Sequence, residues 1–272
     1  MPEGPEMYRM ARKIARAVGN KPLTEVWFAF DSLKPWSTAL TGLSVDSVET
    51  RGKALLLCFA NGVTIYTHNQ LYGRWMFSSP DQRPDTRRQL RLALSTAERS
   101  ALLYSASEIA VLPPGALDSH PFIARIGLDI LSADGDWRQV AEWITQPRFA
   151  RRQLGHLLLD QSFLAGVGNY LRSEILFYAG LMPHNRICDL NPQALDTLAD
   201  AACEMMWRSA RSAGITNDLE RVERLKVAGW KRSEYRHYVF GRQAQACFDC
   251  DSPIEKQTNS GRRLYFCPVC QR

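Results

Sequence analysis

The chain has 272 residues, 45% of them hydrophobic and 23% charged, with a formal net charge of +6. That composition is ample for a packed core and does not suggest a disordered chain. It contains no run of roughly 18 or more apolar residues, so no membrane span is expected. An N-terminus that carries Glu3 and Glu6 and lacks an apolar stretch does not read as a signal peptide, and a cytoplasmic protein is the expectation.

Residues 5–18 predict an amphipathic helix, because Met7, Met10, Ala11, Ile14 and Val18 recur at helical spacing. Pro5 suits its first turn; Gly19-Asn20, with Pro22 beyond, reads as its stop. Short β-rich runs follow: Glu25–Phe30, Val45–Thr50, Ala54–Phe59, Val63–His68, Arg74–Phe77, Leu90–Thr96, Ala101–Ser105 and Glu108–Leu112. Asn61-Gly62 between two apolar runs is a strong hairpin signal. Strands at this spacing predict a β-sandwich or barrel. Leu112-Pro113-Pro114-Gly115 reads as the start of a linker. The pattern then turns helical over Trp137–Ile144, Arg151–Leu159, Tyr170–Ala179 and Pro192–Arg208, the last with Asn191 as N-cap and Pro192 at the first position. Residues 209–237 are polar, with weak periodicity.

Residues 205–272 hold 13 Lys and Arg against 7 Asp and Glu; 34 less 13 and 28 less 7 leave 21 of each elsewhere, so the whole positive excess sits in the last quarter. A local basic surface suits a polyanion such as nucleic acid, although a solvated face would carry the same charges.

Cys247-x-x-Cys250 and Cys267-x-x-Cys270, 16 residues apart, have the spacing of a zinc site. Disulfides are disfavoured by the missing signal peptide and by three further cysteines, Cys58, Cys188 and Cys203. Four thiolates fill the coordination shell, so the metal is expected to be structural and to fold a tail too small to form its own core. Gly261 marks a turn between the knuckles, which puts Arg262 and Arg263 at a hairpin tip, where guanidinium groups can fork onto phosphate. Cys58 and Cys203 read as small buried hydrophobes. His68, His120, His156, His184 and His237 form no ligand spacing.

Four segments together resemble the formamidopyrimidine glycosylase and endonuclease VIII family: Met1-Pro2-Glu3-Gly4-Pro5-Glu6, Arg51-Gly52-Lys53, Asp160–Tyr170 with its Gly166-Val167-Gly168-Asn169 turn, and the four-cysteine tail. The start and Asn69-Gln70-Leu71-Tyr72-Gly73 resemble the endonuclease VIII branch most. The resemblance spans nearly the whole chain. It implies an α+β multidomain fold: an N-terminal β-sandwich with a leading helix over 1–115, a helical domain with a helix–two-turn–helix over 116–237, and a C-terminal zinc finger built on a β-hairpin over 238–272. It further implies a bifunctional DNA glycosylase/AP lyase of base excision repair that removes oxidised pyrimidines from duplex DNA and cleaves the strand by β,δ-elimination. The implied partner is damaged double-stranded DNA, bound by a monomer in the bacterial cytoplasm on the nucleoid. The implied cofactor is one structural zinc ion. An oxidised-purine glycosylase and a non-catalytic lesion-binding zinc protein are the alternatives.

Residue by residue, the resemblance implies that Met1 is removed and that Pro2 presents a secondary amine as nucleophile. An α-amine titrates near about 7.7–8.0, well below lysine, so more of it is unprotonated at neutral pH. Glu3 is then the general acid/base, Lys53 acts in β-elimination and Arg262 in δ-elimination. Gln70, Arg125 and Asn169 match DNA-binding positions, and Leu71 with Tyr72 matches the wedge that fills the gap left by an extruded nucleotide. The glycine turn before Asn169 is expected to offer backbone N–H groups to a phosphate, with Arg172 one turn on adding to it. Glu6 is expected to cap the first helix. Two features depart from the family: Asp251 follows the first knuckle where glycine is usual, which predicts a looser turn, and the 209–237 stretch is longer than in typical relatives.

Overall fold

The computed structural model describes residues 2–132, 136–259 and 261–272, which leaves the expected removal of Met1, and Ser260, outside the described residues. Two compact units emerge: Pro2 with Glu6–Arg125, and Glu3–Pro5 with Ile126–Arg272.

The first unit is a β-sandwich with a leading helix. Its elements are α1 (Gly4–Val18), β1 (Glu25–Phe28), α2 (Pro35–Leu40), β2 (Val45–Arg51), β3 (Ala54–Phe59), β4 (Thr64–His68), β5 (Arg74–Ser78), β6 (Leu90–Ser95), β7 (Ser100–Tyr104) and β8 (Glu108–Leu112). One antiparallel sheet runs β1-β6-β7-β5, the other β2-β3-β4-β8. Strand alternation decides the core. Leu55, Leu57 and Phe59 of β3 join Leu92, Leu94 and Leu103 of the facing sheet and Met7, Ala11, Ile14 and Val18 of α1. Asn61-Gly62 makes the β3–β4 turn, with Gly62 at φ +80° and the Asn61 side chain accepting from Val63 N at 3.1 Å. α2 lay outside the sequence expectation. Beyond Leu112-Pro113-Pro114-Gly115 the chain packs back on the sheet: Leu117, Phe122 and Ile123 cover the outer face of β3 and β4 at Leu56 and Tyr66, because that face is apolar too.

The second unit holds α3 (Trp137–Ile144), α4 (Leu154–Leu157), α5 (Asn169–Tyr178), α6 (Pro192–Arg211), α7 (Leu219–Val227), α8 (Arg232–Tyr235) and the hairpin β9 (Glu255–Asn259) with β10 (Arg262–Phe266). α6 starts as expected, with the Asn191 side chain accepting from Ala194 N and Pro192 in the first turn. The helix expected over Arg151–Leu159 shrinks to one turn. There Leu154 N and Gly155 N donate to Asn185 O and Pro183 O at 2.8 Å, not to the preceding turn. α5 is the central element: Tyr170 through Phe177 are all buried, including Arg172, Ser173 and Glu174. A helix buried on every face needs a partner for each polar side chain it carries. No helix among the described residues is long and apolar enough to cross a membrane.

Candidate active site and metal centre

The turn that leads into α5 is built around Glu3. This residue is 4% exposed, and its carboxylate accepts from Gly168 N at 2.8 Å, Tyr170 N at 3.0 Å and Leu171 N at 3.2 Å. These are the orphan donors of a helix N-terminus, where the dipole favours an anion. The expected phosphate seat on these amides is therefore corrected: the anion they hold belongs to this chain. Both glycines of the motif have a steric reason. A Cβ on Gly168 would fall 2.3 Å from the Glu3 carboxyl carbon. Gly166 adopts φ +87° and accepts from Gly4 N at 2.8 Å, with the two Cα atoms so close that a Cβ on either would lie 3.1 Å from the other. The two family-like segments, Glu3-Gly4 and Gly166–Asn169, are thus halves of one contact.

The rest of the motif braces this turn. The Gln161 side chain donates to Val167 O at 3.0 Å and accepts from Gly166 N at 3.1 Å. Burial pushes the Asp160 carboxyl up, but hydrogen bonds from Ser162 and the guanidinium of Arg152 outweigh it and bring the pKa below the usual value. Asn169 begins α5, half-buried, and its side-chain oxygen meets no partner among the described residues.

Arg172 is also corrected. It is fully buried, so it offers nothing to a phosphate; it donates to Gly155 O at 2.7 Å and to Arg263 O at 3.0 Å. Burial, and the nearby charge of Arg262, bring its pKa down to about 10. With Ser173, whose hydroxyl accepts from Tyr265 N at 3.1 Å, it seats the β9–β10 hairpin on α5. Gly261, at φ +74°, turns the hairpin, and Arg262 stands exposed beside the turn.

Below the hairpin the four cysteines converge. Cys247 and Cys270 sulfurs lie 3.8 Å apart, Cys250 and Cys267 sulfurs 3.4 Å apart, and all four within 4.8 Å of one another. Four sulfurs each about 2.3 Å from one zinc ion sit about 3.8 Å apart in a tetrahedron, so the cluster fits a metal ion. The looser first knuckle expected at Asp251 is not what forms: Asp251 takes the left-handed conformation itself, at φ +59°, and its N–H reaches Cys247 O at 3.1 Å.

The remaining candidates lie in the first unit. Pro2 is half-buried. Lys53 follows Gly52, at φ +59°, in the β2–β3 turn, and is only 5% exposed, unusual for a lysine on a tight turn. Leu71 and Tyr72 are 68% and 70% exposed, which removes a core role for either. Gln70 is exposed beside them, and Arg125 is exposed with its Nε donating to Pro121 O at 2.8 Å. Glu6 lies in the first turn of α1, 3.4 Å from Arg9.

Two residues escaped the sequence reading. Glu174, on α5, is wholly buried and accepts from the backbone of Tyr238, Val239 and Phe240 and from Thr216. It ties the base of the cysteine tail to α5. His237, 5% exposed, bonds Thr216 Oγ1 at 2.8 Å and stacks on Tyr170 with ring centroids 5.0 Å apart. No spacing rule could flag either, because each partner is distant in sequence.

Comparison with known proteins adds a pattern over the whole chain. Residues 1–107 match the formamidopyrimidine-DNA glycosylase N-terminal domain, and residues 126–220 match the formamidopyrimidine-DNA glycosylase H2TH domain. The chain is 47% identical over 271 residues to Endonuclease 8 of Escherichia coli (strain K12 / DH10B), with 100% of both sequences covered. It is 46% identical, with the same coverage, to Endonuclease 8 of Shigella flexneri. Among solved structures it is similar to wild-type Lactococcus lactis Fpg (MutM) in complex with an oxidized-pyrimidine-containing DNA, with a TM-score of 0.80, 18% identity and 100% of both chains covered. It is likewise similar to L. lactis Fpg bound to DNA containing an AP site, with a TM-score of 0.78, 19% identity and 99% of both chains covered. At that identity the structural likeness speaks to the fold.

Proposed function

Because this chain belongs to the formamidopyrimidine-DNA glycosylase and endonuclease VIII family, we propose that its chemistry runs through the backbone amine of Pro2. The chain is a bifunctional DNA glycosylase/AP lyase of base excision repair, and oxidised pyrimidines fit it as substrates. With Met1 removed, the Pro2 nitrogen attacks C1′ of the damaged nucleotide. The new N–C1′ bond forms as the glycosidic bond breaks, and the base leaves with a proton. The sugar ring opens to an iminium ion, whose fixed positive charge is an electron sink. Loss of a C2′ proton then expels the 3′ phosphate, and a second elimination expels the 5′ phosphate. Glu3 exchanges the proton of the opening sugar, Lys53 serves the first elimination and Arg262 the second.

One observation supports this reading most. Glu3, next to Pro2 in the chain, is fixed by three backbone amides in a seat that admits no Cβ at Gly168. A catalytic carboxylate needs that kind of preorganisation. Gln70, Arg125 and Asn169 are assigned to DNA binding, with Leu71 and Tyr72 as the wedge. The partner is damaged duplex DNA, engaged by a monomer in the bacterial cytoplasm, on the nucleoid. One zinc ion held by Cys247, Cys250, Cys267 and Cys270 supplies folding energy to the hairpin that carries Arg262.

Borohydride tests the proposal, since it reduces an iminium to a stable amine. Incubation with a duplex containing an oxidised pyrimidine should trap a covalent protein–DNA adduct. Pro2→Gly with a blocked terminus should trap none. An undiminished adduct in that variant would overturn Pro2 as nucleophile, and faster excision of 8-oxoguanine than of thymine glycol would overturn the lesion class.

A further inference from the structure

The loop Asn69–Gly73 joins β4 to β5 and carries its two apolar side chains in solvent. Left free, such a pair would fold back onto the nearest apolar surface. Here the backbone is pinned at several points. Gly73 N donates to Asn69 O at 2.7 Å, and a Cβ on Gly73 would meet that oxygen at 2.6 Å. Arg88 donates to Tyr72 O at 2.7 Å. Gln70 stands at φ +47°, a left-handed conformation that a non-glycine residue keeps only when its surroundings impose it.

Those surroundings lie at the start of β8. The side-chain amide of Gln70 is held at both ends: Nε2 donates to Glu108 Oε2 at 2.8 Å, and Oε1 accepts from Ser107 Oγ at 2.8 Å. A carboxylate can only accept, so Glu108 also settles which way the amide faces. The other Glu108 oxygen accepts from the buried Tyr66 hydroxyl at 3.1 Å, and the Tyr66 ring lies 4.1 Å from that of His120. Gln70 N donates to His68 Nδ1 at 3.2 Å, and His68 faces Glu108 in the β4–β8 register. The buried sheet thus fixes Glu108, and Glu108 fixes Gln70.

We propose that Glu108 is a positioning residue for the loop: with Ser107 it holds Gln70 left-handed, and so projects Leu71 and Tyr72 toward the duplex before DNA arrives. This rests on the reading of Leu71 and Tyr72 as the wedge. An ordered loop spares binding the cost of ordering it, and the benefit accrues only where a base must leave a stack. Glu108 therefore matters on duplex substrates and not on a single strand that already carries an abasic site.

The test compares single-turnover cleavage of a lesion duplex with that of an abasic single strand, for Glu108→Ala, Glu108→Gln, Ser107→Ala and Leu71→Ala. Glu108→Ala should lose about tenfold on the duplex with the single-strand rate retained. Glu108→Gln, which keeps an acceptor oxygen, should recover most of that loss. Ser107→Ala, at an exposed position, should show the same duplex-selective loss to a smaller degree. Equal losses on both substrates, or an intact duplex rate in Glu108→Ala while Leu71→Ala falls, would overturn the positioning role. An intact duplex rate in Leu71→Ala would remove the wedge reading itself, and the role of Glu108 with it.

Discussion

Two glycine-bearing turns carry family-like motifs, and they are finished in opposite ways. At Gly166–Tyr170 the donors turn inward and the chain supplies the acceptor, Glu3. At Asn69–Gly73 the backbone is pinned as firmly, yet Leu71 and Tyr72 stay in solvent. In the first turn the amides of Gly168, Tyr170 and Leu171 are satisfied within the protein. The second holds apolar surface with nothing of its own to cover it, which is a costly arrangement unless a partner takes it up. In the proposed reading the first turn serves the chemistry and the second meets the substrate.

The largest expected effect breaks the first turn. Gly168→Ala puts a methyl 2.3 Å from the Glu3 carboxyl carbon, so Glu3 must move and leave backbone amides unpaired. Single-turnover excision should fall by about 100-fold or more, and urea denaturation should show a loss of about 3 kcal/mol. A variant with normal excision would show that the seat of Glu3 is dispensable. The cysteine tail extends the same inward-facing side. Cys267→Ser, or a strong chelator, should lower bound zinc from about one per chain and loosen the hairpin that carries Arg262. Elemental analysis with limited proteolysis of the tail checks this; a metal-free protein with an intact, resistant tail would contradict it.

The outward turn should behave differently. Leu71→Ala or Tyr72→Ala should leave stability within about 0.5 kcal/mol, since both are exposed, while lowering duplex lesion excision by about tenfold. Thermal melts and single-turnover kinetics on one preparation would separate the two quantities. A drop in stability without a drop in excision would reverse the contrast between the turns.

The smallest effect concerns pH. His237, stacked on Tyr170, has its pKa pushed well below 6.5 by burial, with Arg236 and Arg232 adding to it. The unfolded chain binds this proton more readily than the folded one. The contribution of His237 is therefore fully present above pH 6.5 and is lost as pH falls below it, at no more than about 1.4 kcal/mol per pH unit. Glu174, 3.9 Å away, has a pKa raised by burial and works in the opposite sense, so the comparison must be with a His237 variant. Urea midpoints measured from about pH 7.5 to about pH 5.5 should fall more steeply in the parent than in His237→Gln. Parallel slopes would mean that His237 does not titrate differently on folding.

Much of the fold was legible because local rules governed it. Alternation marked the strands, Asn61-Gly62 marked a hairpin, and the cysteine spacing marked the metal cluster. Local rules failed where tertiary partners took over the backbone. The amides of Leu154 and Gly155 bond to residues 183–185, so a predicted helix became one turn. Arg172 looked like a surface cation and proved to be a buried brace between Gly155 and the hairpin. Asp251 looked like a weak knuckle and simply adopted the conformation glycine would have taken.

By itself the sequence determined most of the strands, the long helices and the cysteine knuckles, and through its ordered motifs it pointed to Pro2, Glu3, Lys53 and Arg262. Only the tertiary structure decided what those groups face. Glu3 meets an amide 165 residues away, Glu174 meets amides 64 to 66 residues away, and Gln70 meets Glu108 38 residues away. Periodicity reports which face of an element is buried. It carries no information about which distant donor a buried carboxylate will satisfy, and in this protein those long-range pairings set the seat of Glu3, the footing of the cysteine tail and the conformation of the Asn69–Gly73 loop.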